Sequence, residues 1–266
     1  MKIIFRNILI DLKKIIFSCA FLFCIFATFL LSFTSIAYVD NAGKEYSVLE
    51  IIIDMKSFYF LQFDCISILS GALSAYLTIF LPILSALPFV TFFCSERTSG
   101  YIRFCISRSS KNSYYISKFI VATISGGISI MLGYVFYGIA ICILFPFKTI
   151  NIATMIQIFC GMALYGSVSV LPAFFLSSIM KNKYLICCFP FIFIQFYYTI
   201  LSKITSSLIR KNNMETVMKM DILYPHNLRY FFENGKLSIL LFYSCLSIFA
   251  YLGFVIIMKR SVDCGE

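Results

Sequence analysis

Charged side chains gather in one short stretch of an otherwise apolar chain, between Phe93 and Lys118. Clustered basic residues of this kind pair with acidic partner surfaces or fix the orientation of a membrane protein. Short loops rich in Lys and Arg stay on the cytoplasmic side. Residues 94–118 are therefore predicted to form a cytoplasmic loop. It contains one acid, Glu96, and five basic residues: Arg97, Arg103, Arg108, Lys111 and Lys118.

Composition places this stretch in a membrane protein. The chain is 61% hydrophobic and 13% charged, whereas soluble domains are about 25% charged. The net charge of +10 does not predict nucleic-acid binding, because the basic residues lie beside apolar runs instead of forming a basic domain. Most of the eleven cysteines fall within apolar runs. Only Cys65 is expected near the outer face, so no disulfide is expected.

Six apolar runs are near or above the roughly 20 residues that a membrane-spanning helix needs. We predict one all-α transmembrane domain over residues 1–266. It begins with an amphipathic helix at 1–14 that lies on the inner membrane surface. The prolines Pro82, Pro88 and Pro172 interrupt two of the runs. The predicted spans are 15–37, 66–93, 119–147, 152–180, 184–201 and 237–258.

Basic residues place both termini and the 94–118 loop on the cytoplasmic side. The segment at 203–236 is then an outer loop. Its apolar residues recur at helical spacing, which predicts short amphipathic helices at the outer leaflet.

No Asp, Glu, Lys, Arg or His falls inside the six predicted spans, so the sequence predicts neither catalytic nor metal-binding residues there. His226 is the only histidine, and a lone loop histidine is most often a surface residue. The chain also lacks a phosphate-binding G-x-x-x-x-G-K-[ST] loop. It is not expected to be an enzyme, and any uphill transport must use the energy of another protein.

Polar side chains inside the spans are candidates for a substrate path, although helix packing explains them equally well. The same alternatives, packing or a dimer seam, apply to the small residues Ser125, Ser129 and Gly133 in the third span. The path candidates are Ser70, Ser74, Thr78, Gln157 and Gln195.

The cytoplasmic loop, in its six-span setting, resembles that of the permeases of the type-2 ABC transporter family. The resemblance rests on an acid that ends the second span, a glycine four residues later, a short helix, Ser-Arg, and Tyr and Lys before the third span. In this family the loop holds a coupling helix that docks on the ATPase subunit. The matching positions are Glu96, Gly100, Ser107, Arg108, Tyr114 or Tyr115, and Lys118.

A helix that begins at Tyr101 would place Ile102, Cys105 and Ile106 on one side and Arg103 on another. We expect the apolar side to rest on the partner, with Arg103 and Arg108 paired to its acids. Glu96 is expected against the helix N-terminus, Arg97 or Arg103. A solvated loop that only sets topology is the alternative. The residues assigned to ATPase coupling are Glu96, Arg97, Gly100, Tyr101, Ile102, Arg103, Cys105, Ile106 and Arg108.

The resemblance implies a bacterial cytoplasmic-membrane exporter. Its partners would be a cytoplasmic ATPase, which binds ATP and Mg, and a second permease subunit, the same or homologous, within membrane lipid. The expected substrate is amphipathic or hydrophobic, such as a peptide, bacteriocin, antibiotic or lipid, because the spans offer no fixed charge. Two alternatives stay open: the substrate-capturing subunit of an energy-coupling-factor importer, and a non-transporting immunity or scaffold protein.

Overall fold

The computed structural model describes residues 2–39, 44–54, 65–71, 76–145, 151–210, 216, 220–234 and 237–263. These residues form a helical bundle with one antiparallel hairpin, β1 (Ile36–Val39) and β2 (Glu45–Ser47). Two 3-10 turns, Asp221–Leu223 and Pro225–Tyr230, come before the helix that begins at Phe231. The helices are α1 (Lys2–Ile16), α2 (Cys19–Ser32), α3 (Val48–Ile53), α4 (Cys65–Gly71), α5 (Tyr76–Thr98), α6 (Tyr101–Arg108), α7 (Lys111–Leu144), α8 (Ile152–Ser169), α9 (Leu171–Ser177), α10 (Lys183–Arg210), α11 (Phe231–Asn234) and α12 (Leu237–Asp263).

Within the described ranges, five helical stretches are long and apolar enough to cross a membrane. A bent pair of helices, Ile4–Ile16 and Cys19–Ser32, brings the number to six if the pair counts as one span. The chain is therefore a predominantly helical, polytopic membrane protein, as its composition predicts. The five stretches are Ile79–Thr98, Lys111–Leu144, Ile152–Ser177, Lys183–Arg210 and Leu237–Arg260.

The first predicted span is shorter in the structure than in the sequence analysis. The Ser18 side chain accepts a hydrogen bond from the Phe21 N–H and donates one to the Ile15 carbonyl, 2.6 Å away. This cap starts a new helix, and the chain bends by 62° between α1 and α2. Helix α2 then ends at Ser32, and the last predicted residues of the span enter the hairpin instead.

Helix continuity also changes the predicted loops. Residues 94–98 continue α5 and residues 111–118 begin α7, which leaves only residues 99–110 for the loop and its short helix α6. On the other side, residues 203–210 continue α10. Helix α7 has 34 residues and is about 51 Å long at 1.5 Å per residue. Because this exceeds the roughly 30 Å hydrocarbon layer, α7 must tilt or extend beyond that layer.

Small residues let α7 approach its neighbours closely. A Cβ on Gly127 would lie 2.7 Å from the Ala163 carbonyl of α8, and one on Gly133 would lie 2.8 Å from the Ile25 carbonyl of α2. Ser125 and Ser129 of α7 are also buried. The small residues of the third span therefore serve packing within this chain.

The segment of residues 220–234, the return segment, packs against the side of the bundle. Its Leu228 is buried with Ile239 and Tyr243 of α12 and contacts Val168 of α8. Tyr197 of α10 and Tyr243 each donate a hydrogen bond of 2.8 Å to the Leu223 carbonyl. Between residues 221 and 234 the structure thus has two 3-10 turns and the four-residue α11 where the sequence predicts amphipathic helices. Residues 211–215, 217–219 and 235–236 of that predicted loop lie outside the described residues.

Candidate functional site

The basic end of the bundle is the candidate site, where α1, the last turn of α5, α6 and the first turns of α7 meet. Gly100 separates α5 from α6 with φ of +70°, in the left-handed region. A Cβ at this position would meet no atom within 4 Å. The conformation of the backbone, not a lack of space, therefore favours glycine here.

Helix α6 presents an exposed face made of different residues from those that its apolar pattern predicts. Ile102 is only 6% exposed and belongs to the buried cluster around Phe93 and Tyr114, with Cys105 and Ile106 packed against that cluster. This corrects the expectation that the three residues rest on a partner, because their apolar side already covers the chain's own core. The outward residues are Tyr101, Arg103, Phe104 and Ser107.

Three charged side chains from three helices form a buried cluster behind α6. Lys118 of α7 is 1% exposed, and its Nζ lies 2.6 Å from Glu96 Oε2 and 2.8 Å from Asp11 Oδ2. The Tyr114 hydroxyl also donates to Glu96 Oε2 at 3.5 Å. The Phe92 ring centroid is 4.5 Å from the ammonium group, within cation–π distance. This ion cluster connects α1, α5 and α7.

Glu96 therefore has a different partner from those expected. Its carboxylate faces Lys118 instead of Arg97, Arg103 or the start of α6. A buried lysine seven residues into α7 can reach a carboxylate that lies two residues before the end of α5, because the two helix ends are adjacent. Glu96 Oε1 has no hydrogen-bond partner among the described residues.

Arg97 is also used within the chain. Its guanidinium Nη1 donates to the Ser177 carbonyl at 2.7 Å and to the Met180 carbonyl at 3.0 Å. These carbonyls lie at and just beyond the C-terminal end of α9, where a cation is favourable. The sequence assigns Arg97 to ATPase coupling, and its direct contacts instead hold the end of α5 to the end of α9.

Asp11 is the residue that sequence reasoning missed. It is the only acid before Asp40, and it lies between Ile8 and Ile15 at helical spacing, on the side that packs inward. An acid on the apolar side of an amphipathic helix is a signal for a buried partner. Lys118 was recognised only as a topology signal and a family match.

The predicted path residues do not form a common site in the described structure. Gln157 is exposed on α8 and Gln195 is half-buried on α10, and these helices do not pack along each other. Ser70 and Thr78 fall on α4 and α5, and Ser74 lies outside the described residues. Among the described residues, no group of three His, Cys, Asp or Glu side chains is placed to hold a metal ion.

The basic end thus combines an exposed face of Tyr101, Arg103 and Phe104 with a buried opposite side of α6. Ion pairs and the Arg97 hydrogen bonds join the neighbouring helices α1, α5, α7 and α9. No protein-family model matches the chain, and no curated protein matches it in sequence.

Proposed function

We propose that the chain is the permease subunit of an ATP-driven exporter and that α6 is its coupling helix. The observation that carries this proposal is the exposed face of Tyr101, Arg103 and Phe104 on a helix whose opposite side packs on the chain's own core. The back of α6 is buried, and the helix ends beside it are joined by the Asp11–Lys118–Glu96 cluster. A loop that only set topology would need the charges but not this support.

The energy would come from a separate cytoplasmic ATPase that binds ATP and Mg, because the sequence has no phosphate-binding loop of its own. An aromatic face with one arginine is suited to a partner cleft that combines apolar surface with acidic side chains. In this arrangement the basic end and both termini face the cytoplasm of a bacterial cell.

The second membrane subunit, the same or homologous, would cover surface that one chain leaves exposed. Helices α10 and α12 are the least buried of the candidate spans. They expose large apolar side chains, including Phe196 and Phe249. A path between two such subunits would carry an amphipathic or hydrophobic substrate outward, since fixed charges are rare along the spans.

The test is a charge reversal on the docking face. The protein is co-expressed in turn with the cytoplasmic ABC-type ATPase subunits of its own genome, and complex recovery and ATPase stimulation are measured. Arg103→Glu should insert normally yet recover little complex, because like charges at a close interface cost several kcal/mol. Lys259→Glu is the matched control, since Lys259 is exposed near the end of α12 and outside α6.

The outcomes separate the candidate functions. Loss of complex in Arg103→Glu alone supports the proposal. Equal complex recovery and stimulation in both variants would leave α6 without a coupling role. If the chain performed its full cellular function without any ATPase, a non-transporting scaffold or immunity protein would be favoured.

A further inference from the structure

A polar cavity of about 390 Å³ lies between α1, α6 and the first turns of α7. This volume is in the range that holds small ligands. Its charged lining consists of Arg6, Asp11 and Lys14 from α1 and Lys118 from α7. Neutral donors complete it, among them Asn7, Tyr101 and Ser109.

The charges of this lining are not balanced. Lys118 is already engaged by Asp11 and by Glu96 behind it. Within the described ranges, Arg6 and Lys14 make no ion pair with a carboxylate. The Lys14 ammonium lies 5.1 Å from the centroid of the Tyr101 ring, which holds it at the cavity. With Glu96 counted, three cations stand against two carboxylates, and Glu96 also interacts electrostatically with Lys14. The cavity and its surroundings therefore keep one net positive charge, with Arg6 and Lys14 as the cations outside the Lys118 ion pairs.

Both cations project from α1 into the cavity lining. Arg6 and Lys14 are eight residues apart, about 12 Å along a helix at 1.5 Å per residue. The same helix also exposes large apolar side chains, Phe5, Leu9 and Ile16. An amphipathic helix with this combination lies in the membrane interface, where lipid headgroups are its nearest neighbours.

We infer that this cavity binds the phosphate of an anionic phospholipid headgroup, with Arg6 and Lys14 as the cationic contacts. Arg and Lys donate charge-assisted hydrogen bonds to phosphate oxygens, and basic pockets between helices at this depth are suited to anionic headgroups. Asn7 and Ser109 supply neutral donors for the remaining oxygens. The inference goes beyond the proposed function and does not depend on it.

The probe is dioctanoyl phosphatidylglycerol, titrated against the full chain in detergent and followed by native mass spectrometry. We expect saturable binding of one lipid, about tenfold weaker in Arg6→Gln and in Lys14→Gln, as loss of one charge-assisted contact predicts. Lys13→Gln is the matched control. Lys13 is exposed and adjacent to Lys14, yet it does not line the cavity.

Further outcomes can overturn the inference. Dioctanoyl phosphatidylcholine should bind at least tenfold more weakly, and equal binding would mean that no anionic site exists. Inorganic phosphate should not compete at concentrations near those of the lipid, and competition there would assign the cavity to a free anion. If Lys13→Gln weakened lipid binding as much as Lys14→Gln does, the effect would come from nonspecific surface charge. Lys14→Arg should restore binding, which separates loss of charge from loss of folding.

Discussion

The two sides of the bundle are held together by different interactions. At the basic end, a lysine and two carboxylates are buried between three helices. In the return segment, the hydroxyls of Tyr197 and Tyr243 converge on one backbone carbonyl. In the same region the ring of Tyr198 stacks on the rings of Tyr224 and His226.

This difference follows from what each region has to hold. The return segment is irregular backbone packed against helices, so its carbonyls need donors from neighbouring side chains. Neutral hydroxyls satisfy them at little cost in desolvation. At the basic end the elements are regular helices whose backbone is already satisfied, so their relative positions need side-chain links. Buried ions link them strongly but are costly when one partner is lost.

The largest expected effect comes from breaking the ion cluster. Lys118→Met leaves Asp11 and Glu96 as uncompensated buried carboxylates, which should cost about 3–5 kcal/mol of unfolding free energy. We expect a large fall in the amount of folded protein recovered from membranes. The unfolding free energy is measured in detergent by denaturant titration.

A triple variant separates the effect of charge from the effect of packing. Asp11→Leu, Glu96→Met and Lys118→Met together remove all three charges, and apolar replacement of a buried ion cluster is often neutral. The triple variant should therefore be more stable than Lys118→Met alone. If both are equally unstable, packing at this position matters more than charge.

The next effect concerns the backbone at Gly100. A β-branched residue is disfavoured in the left-handed region, so Gly100→Val should cost about 1–2 kcal/mol and displace α6. Gly100→Asn is the control, because asparagine tolerates this conformation and a Cβ meets no atom within 4 Å. We expect normal membrane levels for both variants, with ATPase stimulation reduced only in the valine variant. Equal ATPase stimulation by both variants would mean that Gly100 has no role in coupling.

A smaller effect is expected in the return segment. Tyr197→Phe and Tyr243→Phe each remove one of two hydrogen bonds to the Leu223 carbonyl, so each should cost about 0.5–1.5 kcal/mol. The double variant leaves that carbonyl without either donor and should cost more than the sum. Unfolding free energies of the three variants test this. Additive single effects would mean that water or another group replaces the hydroxyls.

Part of the fold could be predicted from the sequence. The predominantly helical, membrane-spanning character of the chain was predictable, because lipid imposes long hydrophobic stretches. Local signals fix the breaks: Ser18 caps α2, and Gly100 separates α5 from α6. The first break was still missed, since the apolar run continues through it.

Long-range pairing was not predictable in the same way. Asp11 and Lys118 are separated by 106 intervening residues, and no periodicity relates them. The inward side of α6 was misassigned for a similar reason. An apolar helix side can rest on a partner or on the chain's own core, and only the packing of Phe93 and Tyr114 against Ile102 decides between them.

The last prediction tests that orientation of α6 without changing stability. Burial raises the pKa of the Cys105 thiol, so at a given pH less of it is the reactive thiolate. In a variant carrying Phe104→Cys, the new thiol on the exposed side should be alkylated faster than Cys105. The two rates are read from the same peptide by mass spectrometry as the pH is raised from 7 to about 9, which spans the ordinary cysteine pKa. Alkylation at Cys105 should increase at higher pH than at position 104, and the reverse order would place Cys105 on the outward face.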